Sequence, residues 1–282
     1  MSGLLTGVRR IAVAVLALAA VPLAVGLAAP AQAAEECFIL VEAKTARVVA
    51  KQGLCAARHS PVSTFDIPLA LMGFEAGILK SEREPKLSPP PGTLGADGKP
   101  ATPQTPREWM TRQTEWYGQE IAARLGPQHM ARFLKSIAYG NENLSGDPGR
   151  ENGSTHAWLS SSLAISPREQ VDILRRLLIG DGPVAPAAVA GTAALLRQPE
   201  TPAEFELYGT MGTGYLRLAD AALDRTRPLG WFLGWVEKGP EIYVFVRYMS
   251  LDIAATEPLG ERARRQTLAS LAAILQAQAA GR

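Results

Sequence analysis

The most constraining feature of the sequence is a pair of apolar runs near its C-terminal end. Residues 231–236 and 242–246 are rich in aromatic and β-branched side chains, and the turn-forming residues 237–240 separate them. Runs of this kind on either side of a Gly-Pro turn predict an antiparallel hairpin. A second hairpin is predicted over residues 38–50, so strands are expected at both ends of the chain.

Helices are predicted between and after these strands. Thr105-Pro106-Arg107-Glu108 and Ser166-Pro167-Arg168-Glu169 each supply an N-cap, a proline at the first helical position and a glutamate that reaches back. Apolar stripes predict further helices over 64–80 and 259–279. This order predicts one α/β (α+β) domain over residues 34–282, an antiparallel sheet flanked by helices with a helical insertion.

The first 33 residues have the features of an export signal. A short segment ends in Arg9-Arg10, an apolar run follows over 11–29, and Ala31-Gln32-Ala33 is a small-x-small cleavage site. The alternative is a membrane anchor, because the run approaches the length that spans a bilayer. Cleavage before Ala34 predicts a periplasmic or secreted bacterial protein with no membrane contact afterwards.

The two cysteines of the chain fit the predicted N-terminal hairpin. Cys37 and Cys55 each lie nine residues from Ala46, so folding about that turn brings them nearly opposite. Disulfides persist outside the cytoplasm. We therefore expect a Cys37–Cys55 disulfide, with a pair of free, partly buried thiols as the alternative.

Charge and ligand spacing exclude other classes of partner. Lys and Arg total 29 against 27 Asp and Glu, and no basic stripe is present, so nucleic acid and anionic membranes are not expected partners. His59, His129 and His156 are scattered and show no metal-ligand spacing with the cysteines. No metal and no cofactor is predicted.

Several segments stand in a fixed order along the chain, and together they point to one family. They are Ser60-Pro61-Val62-Ser63-Thr64-Phe65-Asp66-Ile67-Pro68, Glu115-Trp116-Tyr117-Gly118-Gln119-Glu120-Ile121, Tyr139-Gly140-Asn141, Trp158-Leu159 and Tyr208-Gly209-Thr210-Met211-Gly212-Thr213-Gly214. This order resembles the class D serine β-lactamases of the penicillin-recognising superfamily over nearly the whole mature chain. The resemblance implies the β-lactamase/transpeptidase-like fold and an acyl-serine site for β-lactam or peptidoglycan-stem ligands.

The catalytic motifs of that family are altered here. The family attacks the lactam carbonyl with the serine of Ser-x-x-Lys, whose lysine, as a carbamate, is the general base. The serine position is Ser63, but the lysine position is Asp66. The second motif, Ser-x-Val, falls on Gln113-Thr114-Glu115, and the fourth, Lys-Thr-Gly, falls on Thr210-Met211-Gly212.

Other motif positions are kept. The third motif, Tyr139-Gly140-Asn141, is intact, and Trp158 stands at the tryptophan that supports the carbamate. The resemblance implies that these residues line the ligand site, although Tyr139 and Asn141 also suit a helix C-cap. The N–H groups of Ser63 and Thr213 are candidates for an oxyanion hole, because main-chain donors do not depend on the side chain.

Asp66 is a poor substitute for the missing base. A serine hydroxyl needs a positioned base, and position i+3 lies on the same helix face as position i. The Asp66 carboxylate resembles the acid end of a carbamate, but its stem is shorter and its ordinary pKa is near 4. The alternative is structural, because Ser63 and Asp66 also have the spacing of a helix capping box.

The substitutions also change how a ligand carboxylate is held. Thr210 and Met211 lack the cation and the hydroxyl of the family motif, and Glu115 adds a charge that repels a carboxylate. Arg262, Arg264 and Arg265 lie near the family's carboxylate-binding arginine. Their alternative is a solvated helix face.

Three functions follow from the sequence. The first is a degenerate class D homologue that binds or slowly acylates at Ser63 without efficient turnover. The second is a working β-lactamase in which Asp66 or another group replaces the lysine. The third is a non-catalytic scaffold that binds an envelope partner. Losses in three separate motifs favour the first or third, because each removes a different part of the mechanism.

Overall fold

The computed structural model describes residues 35–95, 97–218 and 222–280. The predicted export signal lies outside the described residues. The described residues form one compact unit. Within the described part of the chain, no helix is long and apolar enough to cross a membrane.

A five-stranded antiparallel sheet forms the centre of the fold, with strand order β2-β1-β5-β4-β3. Both predicted hairpins are present, as β1–β2 and β4–β5, and β1 pairs with β5 to join the two ends of the chain. β3 is therefore an edge strand. The strands are β1 (Glu36–Glu42), β2 (Val48–Gly53), β3 (Glu206–Arg217), β4 (Leu223–Lys238) and β5 (Glu241–Ser250).

Helices cover both faces of the sheet. They are α1 (Asp66–Glu75), α2 (Pro106–Arg112), α3 (Glu115–Leu125), α4 (Pro127–Ile137), α5 (Gly153–His156), α6 (Pro167–Leu178), α7 (Pro186–Leu196) and α8 (Leu259–Ala280). The predicted capping boxes begin α2 and α6. The helix predicted over 64–80 is shorter, because residues 62–65 form a 3-10 turn and Gly77 takes a left-handed φ of 69° just beyond the helix end.

Alternation along the strands separates two apolar layers. Ile39 and Val41 of β1 face the core formed with the helices of the middle of the chain, whereas Phe38 and Leu40 face α8. This period of two is the expected pleat of a sheet that is covered on both faces. Both faces of the sheet are thus covered, and the turn at residues 62–65 packs against the edge strand β3.

A disulfide closes the N-terminal hairpin. Cys37 is opposite Gly53 in the β1–β2 register, and its sulfur is bonded to that of Cys55, with the two Cα atoms 5.1 Å apart. Ala46 takes a left-handed φ of 58° at the turn. The link joins the interior strand β1 to the segment that leads towards Ser63.

Candidate active site

Ser63 lies in the 3-10 turn over Val62–Phe65, directly before α1. Main-chain contacts fix this turn: the Val62 N–H and the Ser60 hydroxyl both donate to the Trp158 carbonyl, at 3.0 and 2.7 Å. The Trp231 indole N–H donates to the Ser60 carbonyl at 2.9 Å. Ser63 itself is half-buried, and among the described residues its hydroxyl has no hydrogen-bond partner. The serine is held in place with its hydroxyl uncommitted.

The turn and the following helix have no side-chain cap. Neither the 3-10 turn nor α1 receives a side-chain hydrogen bond at its N-cap. Ser63 and Asp66 therefore do not form the capping box that the sequence allowed.

β3 approaches the Ser63 turn closely because two of its residues lack side chains. A Cβ at Gly212 would lie 2.6 Å from Val62 Cγ2 and 3.2 Å from the Ser63 nitrogen. A Cβ at Gly214 would lie 2.5 Å from Val62 Cγ1. Real Cβ atoms essentially never approach a neighbour as closely as the 2.6 and 2.5 Å separations from Val62, so glycine at both positions lets β3 form one wall of the site.

At every second residue of β3, the main-chain N–H and C=O groups face the free edge of the sheet. The Gln198 side chain donates to the Gly209 carbonyl at 2.9 Å, and the Gln113 side chain donates to the Met211 carbonyl. Since main-chain groups alternate in direction along an antiparallel strand, the N–H and C=O of Thr213 face the same edge. The Thr213 N–H therefore faces away from β4, as it must if it is to donate to a ligand oxygen together with the Ser63 N–H.

The side chains of β3 divide between the two faces of the sheet. Thr210 has the same parity as Gly212 and faces the Ser63 side; it is 4% exposed, and its hydroxyl has no partner among the described residues. Met211 packs into the layer beneath α8. The Thr213 hydroxyl accepts a hydrogen bond from the Gly260 N–H at 3.0 Å. Only the main chain of Thr213 therefore faces the site.

Asp66 is buried, with 5% of its surface exposed. A Cβ at Gly118 would lie 3.1 Å from Asp66 Oδ1 and 3.4 Å from Trp109 Nε1, so the carboxyl lies between α3 and the Trp109 indole. Burial raises the Asp66 pKa well above its usual range, and the Glu115 carboxylate raises it further. The Trp109 N–H opposes this rise without reaching normal hydrogen-bond geometry.

Tyr139 and Trp158 surround the helix start from the opposite side. The Tyr139 ring meets the Phe65 ring edge-on at 5.5 Å, and the Trp158 ring stacks on Phe65 at 5.0 Å. Burial raises the Tyr139 pKa well above its usual range, and the nearby Asp66 charge adds to this effect. Both aromatic side chains lie beneath the site and support the residues that carry it.

Asn141 is bound to a neighbouring loop. Its side-chain amide donates to the Ser162 carbonyl at 2.8 Å, and its carbonyl accepts from the Ala164 N–H at 3.0 Å. Its main-chain N–H donates to the Ala164 carbonyl at 2.9 Å. In this structure Asn141 joins the third motif to the loop behind Trp158.

The charged residues that the sequence indicated near the site differ in whether they have a partner of opposite charge. Glu115 is exposed in the first turn of α3, close enough to Asp66 to influence its pKa. Arg262 and Arg265 both pair with Glu257 at 2.9 Å, and Arg264 pairs with Glu200. Each of the three arginines is thus paired with a carboxylate, whereas Glu115 has no cationic partner among the described residues.

Sequence reasoning assigned no role in the site to three residues that shape it. Trp109 and Gly118 enclose the Asp66 carboxyl, and Gln113 connects the α2–α3 junction with β3. A tryptophan and a glycine on predicted helices carry no signal of this kind. The sequence showed Gln113 only as a departure from the family motif. Its contact with Met211 could not be predicted, because it depends on how two segments that are remote in the chain pack together.

Comparison with known proteins supports one family. Residues 31–267 match the penicillin binding protein transpeptidase domain. The β-lactamase OXA-9 of Klebsiella pneumoniae is 35% identical over 241 residues, which cover 85% of this chain and 88% of the relative. The β-lactamase OXA-1 of Escherichia coli is 33% identical over 240 residues, 84% of each chain. The crystal structure of the OXA-427 class D β-lactamase superposes with a TM-score of 0.78, at 37% identity, covering 86% of this chain and 98% of that one.

Proposed function

The chain belongs to the class D serine β-lactamase family, and from this membership we propose that it is an exported penicillin-recognising protein with weak or absent hydrolysis. Its ligands are β-lactams or peptidoglycan-stem peptides, bound at Ser63. β-lactamases are named among its relatives at 35% and 33% identity. The altered motifs set this chain apart from a protein built for rapid turnover.

The observation that carries the proposal is the placement of Asp66. Its carboxyl is buried beside Trp109 and Gly118, and it makes no hydrogen bond to Ser63. Because burial raises the pKa of Asp66, a smaller fraction of this carboxyl is ionised at a given pH and able to accept a proton from the serine. Loss of a general base costs about 10²–10⁴-fold in rate.

Part of the acyl-transfer apparatus is nevertheless retained. Ser63 is half-buried with no partner for its hydroxyl among the described residues, and the main-chain N–H of Thr213 faces the free edge of β3. Main-chain N–H groups stabilise a developing oxyanion whatever side chain they carry. Slow acylation that ends at a long-lived acyl-enzyme is the outcome these features favour.

Intact-protein mass spectrometry tests the proposal. The chain without residues 1–33 is incubated with benzylpenicillin, and Ser63→Ala serves as the control. A persistent adduct on the unmodified protein alone supports the proposal. Steady cephalosporin turnover that Ser63→Ala abolishes and zinc chelation leaves intact would instead establish an active hydrolase with a non-lysine base. The absence of both adduct and binding at high ligand concentration would contradict the proposal and favour a non-catalytic envelope scaffold.

A further inference from the structure

The basic side chains of α8 and β3 are all paired with carboxylates. Arg262 and Arg265 are paired with Glu257, and Arg264 is paired with Glu200. On β3, Thr210 and Met211 carry no charge, and the next basic residue of that strand, Arg217, is paired with Asp147 at 2.6 Å. Within the described residues, each of these cations already has an anionic partner.

Negative charge is present in the same region. Glu115 lies two residues after Gln113, whose side chain reaches the Met211 carbonyl beside Gly212 and Ser63. Glu115 is also in the first turn of α3, where its carboxylate offsets the partial positive charge of the helix N-terminus. The main-chain feature that would otherwise attract an anion is thereby neutralised.

Two neutral polar groups in the same region are buried without a hydrogen-bond partner among the described residues. The Thr210 hydroxyl is buried on the Ser63 side of β3 without a partner among the described residues. The Trp109 indole N–H is also buried without a partner of normal geometry, beside the Asp66 carboxyl. A hydroxyl that both donates and accepts suits an uncharged ester, amide or alcohol group.

We propose that this site accepts acyl donors that lack a carboxylate beside the scissile bond. At that position it prefers a cationic group to a neutral group, and a neutral group to an anionic group. The proposal rests on the proposed acylation of Ser63. The Ser63 oxygen forms a bond to the acyl carbon, the bond from that carbon to the lactam nitrogen breaks, and the serine proton ends on that nitrogen. The charge preference concerns the group carried by the part of the ligand that contains the lactam nitrogen.

One scaffold in three charge states tests the preference. Benzylpenicillin, which is anionic, is compared with its neutral 3,3-dimethylbutyl ester and its cationic trimethylammonioethyl ester. All three share the lactam, and the two esters are nearly equal in size and differ by one charge. The measurement is the initial rate at which the Ser63 adduct appears by mass spectrometry at low ionic strength. We expect about fivefold between the neutral and cationic esters, declining as salt is added.

Matched variants identify the source of the preference. Glu115→Gln should bring the cationic and neutral esters to the same rate. Glu120→Gln removes an equal charge from the same helix, where Glu120 pairs with Arg124 at 2.9 Å, and should leave the order unchanged. Equal rates for all three ligands on the unmodified protein, or the fastest rate with benzylpenicillin, would overturn the charge preference while leaving acylation intact.

Binding without chemistry separates the two proposals. Ser63→Ala cannot be acylated, so its dissociation constants for the three ligands report charge preference alone. Tighter binding of the cationic ester to Ser63→Ala supports the inference even if the serine proves unreactive. Binding of benzylpenicillin as tightly as the cationic ester would refute it independently of any acylation result.

Discussion

The side-chain amide of Gln113 donates a hydrogen bond to the main-chain carbonyl of Met211, and this contact joins the two walls of the Ser63 cleft. One partner stands at the junction of α2 and α3, and the other is on the edge strand β3. Gly212, which follows Met211, packs directly on the Ser63 turn. Gln113 therefore occupies an edge carbonyl that an extended ligand would otherwise use.

Removal of this contact should open the site. We predict that Gln113→Ala increases the rate of Ser63 labelling by benzylpenicillin severalfold, because a ligand no longer competes with the amide. The free energy of unfolding should change by no more than about 1 kcal/mol, as expected for a partly exposed hydrogen bond. Gln198→Ala is the matched control, because Gln198 contacts the Gly209 carbonyl on the same edge. Equal acceleration by both variants would argue against a specific role for Gln113.

Asp66 should make stability depend on pH. A folded-state pKa raised above the unfolded value favours the folded protein while the carboxyl is protonated, and this contribution is lost as pH rises through the folded pKa. Asp66→Asn should therefore be more stable than the unmodified protein at alkaline pH and similar to it near pH 4. Urea unfolding across this range measures the difference, and parallel curves for the two proteins would contradict the buried-carboxyl interpretation.

Asp66 should also control any acylation that occurs. If its carboxylate is the acceptor of the serine proton, the labelling rate rises with pH as Asp66 ionises, and Asp66→Asn gives a slow rate without that rise. Adduct formation measured from pH 5 to pH 9 checks this expectation. An Asp66→Asn protein that labels as fast as its parent would show that another group accepts the proton.

Restoration of the missing cations should raise reactivity. Asp66→Lys with Thr210→Lys and Met211→Thr is expected to increase acylation by at least about tenfold, since general bases contribute about 10²–10⁴-fold. Because Met211 packs beneath α8 and away from Ser63, the pair Asp66→Lys with Thr210→Lys should perform as well as the triple variant. A folded triple variant with unchanged labelling would mean that other features of the cleft prevent the reaction.

His59 should contribute to acid sensitivity. Its imidazole is 11% exposed, stacks on Tyr248 at 3.9 Å and lies 3.2 Å from the Glu35 carboxylate. Burial lowers the pKa of His59 to about 4. Stability should therefore decline as pH falls from the ordinary histidine value towards 4, by at most about 3 kcal/mol.

A stacking-conserving variant tests the assignment. His59→Phe keeps a ring against Tyr248 but does not titrate, so its stability should decline less over that pH range. His129→Gln, at a histidine on α4, serves as the control. An acid decline in His59→Phe as steep as in the parent would place the sensitivity elsewhere.

Local patterns were sufficient for many of the elements of this protein and for its family. Apolar alternation predicted the two hairpins, the caps at Thr105 and Ser166 predicted the starts of α2 and α6, and the ordered motifs around Ser63 and Tyr139 indicated the fold. These signals are readable because each depends on residues close together in the chain. The replacement of the motif lysine by Asp66 was equally plain from the sequence.

Tertiary packing decided what those residues do. The burial of Asp66 between Gly118 and Trp109, the pairing of the arginines of α8 with Glu257 and Glu200, and the contact of Gln113 with Met211 all join remote segments. The pKa of a carboxyl and the availability of a cation depend on neighbours in space and on exclusion of water, which spacing along a chain does not specify. The sequence therefore determined which groups the site contains, and the fold determined which of them are free to act.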